Sequence, residues 1–248
     1  MGARVLFVHG ALGEARVWDP VIAALPDGLS GEALTLTYFG DADWPDDGAG
    51  FSTATHAADI VRAAAGGGVT LVSWSMGTHP ALQALLDAPD LFDAALFYEP
   101  GGASFIDDAD DLAAWQRAFT DGFGPITPAL EEGGDAAAAD VLLGMGRDKL
   151  SAERLAIYRA NARTMTLLLG GGQPPARIRA ADCARIPHRT QVMAGDGTGR
   201  MFAIGSRALA AALPGANLRI VAGADHFLPE TDPARFAALV AEFSSAAK

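Results

Sequence analysis

A run of apolar residues ends in two serines and a glycine, Val69-Thr-Leu-Val-Ser73-Trp-Ser75-Met-Gly77-Thr-His-Pro80, and a helix-like stretch follows. A hydroxyl nucleophile must be exposed, rigidly held and flanked by backbone N–H groups. A tight strand-to-helix turn meets all three needs, because the following helix aims its free N–H groups at the presented side chain. Such a turn requires very small residues two places before and two places after the presented one. Ser73 and Gly77 fill those places, so Ser75 is the candidate nucleophile. The plainer alternative is that Ser75 only caps the helix. A second residue invites the same question: Glu99 closes the apolar run Ala94–Glu99, where a carboxylate is costly without a partner.

The elements that would carry these residues follow from hydrophobic pattern. Short apolar runs recur at Arg4–His9, Leu34–Tyr38, Val69–Ser73, Ala94–Glu99, Thr190–Ala194 and Leu218–Val221, without the polar alternation of a half-exposed strand. Helical patterns lie between most of them, at Val17–Leu25, Thr53–Ala65, His79–Ala88 and Ser206–Leu213. Strand followed by helix, repeated, predicts an α/β fold with a doubly wound, mostly parallel sheet of about six strands. The alternation stops between Gly101 and Pro187, where helix-like runs at Asp111–Phe123 and Ser151–Leu169 are punctuated by glycine and proline. Residues 1–100 and 188–248 are therefore expected to form the core, and 101–187 a helical cap or lid. The final segment, from Asp232 to Ala247, predicts a closing helix with an Asp N-cap and Pro233 at its first position.

Composition narrows the partners. The chain has 248 residues, half of them apolar, and a formal charge of −12, which disfavours nucleic acid and anionic lipid. A single cysteine, Cys183, forms no internal disulfide and fits a reducing compartment. The N-terminal apolar run is too short for a signal peptide, and no window is long enough to span a bilayer. These features predict a cytoplasmic protein with no membrane or nucleic-acid partner; they leave the oligomeric state open. The acidic cluster Asp107, Asp108, Asp110 and Asp111 reads as a solvated helix start, not a metal site. Gly66-Gly67-Gly68 lacks the residues of a phosphate loop and reads as a helix end and turn.

The serine turn resembles the Gly-x-Ser-x-Gly nucleophile elbow of the α/β-hydrolase superfamily, with Ser73 in place of the first glycine. Two further stretches carry the likeness. Val5-Leu-Phe-Val-His9-Gly10-Ala11 is similar to the strand whose following loop supplies an oxyanion-hole N–H, and Gly223-Ala-Asp-His226-Phe227 to the last-strand loop bearing the catalytic histidine. The resemblance implies a serine hydrolase, esterase-like, with Ser75 as nucleophile, His226 as base, and the N–H groups of Ala11 and Met76 as oxyanion donors. It implies one of two acids. Glu99, two dozen positions after Ser75, stands where dehalogenase-like members carry theirs; Asp196 lies in Gly195-Asp-Gly-Thr198, where many members place an aspartate but this chain has Thr198. Glu99 is preferred, and Asp225 is a poor third. Of the aromatic residues Trp18, Trp74, Phe105, Trp115, Phe119 and Phe123, most are expected in the core; Trp74, Phe105 and Trp115, with Leu12, are the expected pocket residues. The rings of His9, His56, His79 and His188 are expected to pack or to face solvent, with His79 near enough to the elbow to touch the site. The resemblance further implies that no cofactor is needed and that the substrate is a small molecule, a small to medium hydrophobic ester, thioester or lactone. Hydroxynitrile lyase or carbon–carbon bond hydrolase chemistry uses the same residues, and a non-catalytic binding protein would keep the pocket without the reaction.

Overall fold

The computed structural model describes residues 2–144 and 146–245. Six parallel strands form one sheet in the order β2-β1-β3-β4-β5-β6: β1 (Ala3–Val8), β2 (Leu29–Leu34), β3 (Val69–Trp74), β4 (Phe92–Tyr98), β5 (Arg189–Gly195) and β6 (Asn217–Val221). The helices are α1 (Asp19–Ala23), α2 (Thr53–Ala63), α3 (Thr78–Asp87), α4 (Ala109–Phe123), α5 (Ile126–Leu143), α6 (Ala152–Ala160), α7 (Ala180–Cys183), α8 (Arg200–Ala212), α9 (Leu228–Thr231) and α10 (Pro233–Ser245). Chain order along the sheet reverses beside β1. In an open parallel sheet, ligands bind at such a switch point, outside the carboxyl ends of the strands.

Side chains alternate between two cores. Leu6 and Val8 of β1 pack with Ile60, Ala81 and Leu209 from α2, α3 and α8. Val5 and Phe7 pack on the other face with Val21, Phe236 and Val240 from α1 and α10. Because both faces are covered, β3 is buried along its whole length, which explains its unbroken apolar sequence.

The second strand corrects the reading from sequence. It spans Leu29–Leu34, not Leu34–Tyr38. As an edge strand it has solvent-facing positions and needs no continuous apolar run. The apolar residues Leu36, Tyr38 and Phe39 are buried in a loop instead. That loop is held by the His9 ring, whose Nε2 accepts from Leu36 N–H at 3.1 Å while its Nδ1–H donates to Gly10 O at 2.8 Å.

Between β4 and β5 the described residues form helices and no strand. Asp108 caps α4 by accepting from Asp111 N–H at 2.8 Å, and Asp110 and Asp111 lie in its first turn, where carboxylates complement the helix dipole. The expected long helix 151–169 is broken into α6, a single 3-10 turn at Ala162–Thr164 and a π-helical turn at Leu167–Gly171. A further helix, α5, carries the alanine run 136–139 and is interrupted at Gly134 with φ 70°. Buried polar groups tie α6 to the core. Arg154 meets Glu230 through Nε and a terminal nitrogen, both at 2.8 Å, and the Tyr158 hydroxyl donates to the same carboxylate at 2.6 Å. Asn161, wholly buried, accepts from Gly40 N–H at 2.6 Å and donates to Glu14 at 3.1 Å.

Burial also bears on acid stability. The His9 imidazole is fully enclosed and both of its nitrogens are engaged, so burial lowers its pKa from 6.5 to about 4. The unfolded chain takes up this proton near pH 6.5 and the native chain resists it until about pH 4. The native state therefore keeps its full stability from this group above pH 6.5 and loses it as pH falls toward 4, by about 1.4 kcal/mol per pH unit at most. Urea midpoints measured from pH 7.5 to 4.5 should fall on the acid side. A flat profile would contradict the buried neutral ring.

Candidate active site

The elbow follows directly from the packing of three strand ends. β3 stops at Trp74, Ser75 adopts the left-handed conformation at φ 55°, and a 3-10 turn, Ser75–Gly77, leads into α3. A non-glycine residue rarely holds that conformation, and it costs on the order of 1–3 kcal/mol unless its surroundings enforce it. Here they do: a Cβ on Gly77 would stand 2.5 Å from the His9 carbonyl oxygen, so the turn closes only with glycine there. Ser73, in the place of the motif's first glycine, is completely buried, and its hydroxyl has no partner among the described residues.

Glu99 repeats the geometry one strand over. Trp74 pairs with Tyr98, so Ser75 and Glu99 each stand one residue beyond a matched pair, and Glu99 too has a positive φ, 46°. Its carboxylate is inaccessible to solvent yet fully hydrogen-bonded. Oε1 accepts from Gly195 N–H at 2.8 Å; Oε2 accepts from the Thr198 hydroxyl at 2.6 Å and from His226 Nδ1–H at 2.8 Å. A carboxylate can only accept, so the bond fixes the tautomer with the proton on Nδ1 and leaves Nε2 as a base. The His226 loop reaches this position by lying directly on the end of β5, where a Cβ on Gly195 would fall 2.1 Å from the Ala224 carbonyl oxygen.

The structure thus brings Glu99 and His226 together and keeps Asp196 apart from them. Asp196 is exposed and accepts from Gly223 N–H at 2.7 Å, bracing the turn after β6. Asp225 pairs with Lys149 and accepts from Phe227 N–H. Thr198, which stands where the resemblance leads one to expect an aspartate, donates instead to the Glu99 carboxylate at the end of the neighbouring strand. No local signal in the sequence discloses that bond, because its acceptor lies far away along the chain.

A family model described as the alpha/beta hydrolase family matches residues 5–239. The chain belongs to that family. Among solved structures, this α/β-hydrolase is similar to MenH from S. aureus, at 15% identity and a TM-score of 0.76 over 98% of this chain and 94% of that one. It is similar also to the esterase RhEst1 from Rhodococcus sp. ECU1013, at 18% identity and a TM-score of 0.75, covering 100% of this chain and 92% of the other. A third is the carboxylesterase CesB from Bacillus subtilis, at 17% identity and a TM-score of 0.71, with 99% and 84% covered. At these identities the likeness is one of fold. A search of curated proteins gave no match.

In this α/β-hydrolase a cavity of about 400 Å³ opens over the strand ends, and Ser75, Ala11, Met76 and His226 all line it. Its remaining wall is largely apolar: Phe119 and Phe123 from α4, Leu142 and Leu143 from α5, Tyr158 from α6, then Met165, Leu168, Leu169, Phe202 and Phe227. Ala11 follows the end of β1 and Met76 lies in the first turn after the elbow, positions whose N–H groups have no helical partner.

Of the expected pocket residues, only Trp74 lies on the wall. Leu12, Phe105 and Trp115 are buried in the two cores instead. Trp115 stacks behind Phe119 at 5.1 Å, and Leu12 turns inward from a left-handed backbone at φ 57°. His79 is likewise off the wall; its ring abuts Gly102 and lies 3.2 Å from the Ser104 hydroxyl. The wall residues Phe119, Phe123 and Phe202 carried no distinguishing pattern beyond apolar character, since helix periodicity marks a buried face without saying whether protein or ligand covers it. No helix of the described residues is long and apolar enough to cross a membrane.

Proposed function

We propose that the chain is a cofactor-independent serine hydrolase acting on a small to medium hydrophobic ester, thioester or lactone through Ser75, His226 and Glu99. The observation that carries this reading is the 2.8 Å bond from His226 Nδ1–H to the buried Glu99 carboxylate, with the imidazole and the Ser75 hydroxyl on one cavity wall. His226 Nε2 takes the proton of Ser75 Oγ as that oxygen adds to the substrate carbonyl. The N–H groups of Ala11 and Met76 hold the developing oxyanion; loss of one such donor typically costs about 10²–10³ in rate. The intermediate collapses to an acyl-enzyme as His226 returns the proton to the departing alcohol or thiol. Water, deprotonated by the same nitrogen, then releases the acid and restores Ser75. The segment between β4 and β5, read as a cap, selects the substrate by supplying most of the apolar wall.

Incubation with a fluorophosphonate, followed by intact and peptide mass analysis, tests the assignment. A single adduct on Ser75, absent from Ser75→Ala protein, is the expected result. Lack of labelling under conditions that modify a control hydrolase would instead favour a non-catalytic binding protein.

A further inference from the structure

A continuous aromatic path, most of it on the cavity wall, goes beyond what the proposed reaction alone requires. Trp115, Phe119 and Phe123 recur every four residues on α4, and their rings stack in series, Trp115 on Phe119 at 5.1 Å and 15°, Phe119 on Phe123 at 5.2 Å and 9°. Phe123 meets Phe202 edge-on at 6.4 Å, and Phe202 lies flat against the His226 ring at 3.8 Å and 16°. The path therefore runs from the imidazole to the surface. It reaches solvent at Phe119, which is 40% exposed, with Leu169, 38% exposed, also on the cavity wall. These are two of three large apolar side chains so exposed among the described residues, and both border the same opening. Apolar surface gathered at the mouth of a site marks a ligand groove. Among the described residues the wall holds no lysine, arginine, aspartate or glutamate, so apart from the His226 ring nothing in it would pair with a charged ligand.

We propose that the substrate is an uncharged ester or lactone bearing an extended hydrocarbon chain, and that this chain lies along the α4 aromatic face and leaves the cavity between Phe119 and Leu169. The assignment of the reacting end rests on the serine hydrolase reading above; the chain track does not. A chain in this groove gains by displacing water from ring faces and from Leu169, at about fourfold per fully buried methylene. A terminal carboxylate placed in the cavity would lose its hydration without a cation to replace it.

Two measurements separate the track from the chemistry. In the first, p-nitrophenyl acetate, butyrate, octanoate and decanoate are compared with wild-type and Phe119→Ser/Leu169→Ser protein. The wild type should show kcat/KM rising from acetate to octanoate, and the double variant should lower the octanoate-to-acetate ratio by at least tenfold. In the second, Ser75→Ala protein is titrated with decan-1-ol and with decanoate, following the fluorescence of Trp74 and Trp115. The alcohol should bind saturably, at least tenfold more tightly than the carboxylate, and more weakly once Phe119 and Leu169 are replaced. Turnover that peaks at acetate, or decanoate binding as tightly as the alcohol, would overturn the track while leaving the serine chemistry intact. Saturable decanol binding that needs Phe119 and Leu169, without turnover of any ester, would support the track and remove the hydrolase reading.

Discussion

Replacing Glu99 with Gln is expected to lower kcat on an ester substrate by about 10³–10⁴, with a much smaller change in KM. The carboxylate receives three hydrogen bonds in a fully buried position, one of them from His226 Nδ1–H. An amide keeps the shape but loses the charge that stabilises the imidazolium, and its NH₂ group can turn the imidazole to the wrong tautomer. Asp196→Asn is the matched comparison. That carboxylate accepts from Gly223 N–H at 2.7 Å, and an amide oxygen does the same, so activity should stay within about threefold of wild type. Steady-state kinetics of both variants decide the matter; the reverse pattern would transfer the acid to Asp196. Thr198→Val should fall between them, with about a tenfold loss, because a charge-assisted bond to Glu99 Oε2 disappears, and Thr198→Ser should recover most of it.

Removing Arg154 should produce the largest loss of stability. Its guanidinium bonds Glu230 through two nitrogens and also donates to the carbonyls of Arg16 and Val17. The Glu230 side chain is only 1% exposed, so Arg154→Ala strands a buried anion with the Tyr158 hydroxyl as its remaining partner. Breaking such a pair costs about 3–5 kcal/mol, which for a chain of this size lowers Tm by about 10 °C. Arg154→Met combined with Glu230→Leu should be markedly more stable than the single variant, since no charge is left unpaired. Calorimetry would refute this if the single variant melted with the wild type.

The parallel sheet was legible because burial on both faces leaves continuous apolar runs, and five of the six runs begin or end within a few residues of their strands. β2 was not, because an edge strand with the sequence Leu-Ser-Gly-Glu-Ala-Leu has no such run, while the neighbouring apolar residues are buried as loop. The candidate site divides in the same way. Ser75 and Glu99 announce themselves locally, one by the small residues its turn needs and the other by a charge at a buried strand end. Thr198 gives no local signal, since its meaning lies in a bond to a residue far away in sequence. The cavity wall was least legible: Phe105 and Trp115 share their aromatic character with Phe119 and Phe123, and only tertiary packing separates core from lining.

The pairing of Trp74 with Tyr98 has a consequence for how such a protein can change over generations. Because Ser75 and Glu99 hang from adjacent strands in fixed register, their separation is set by ladder hydrogen bonds deep in the sheet, and most of the apolar wall comes from helices between β4 and β5. Mutations in those helices can reshape the cavity without moving the pair, so on the proposed reading selection can explore new substrates while the reacting groups are inherited intact.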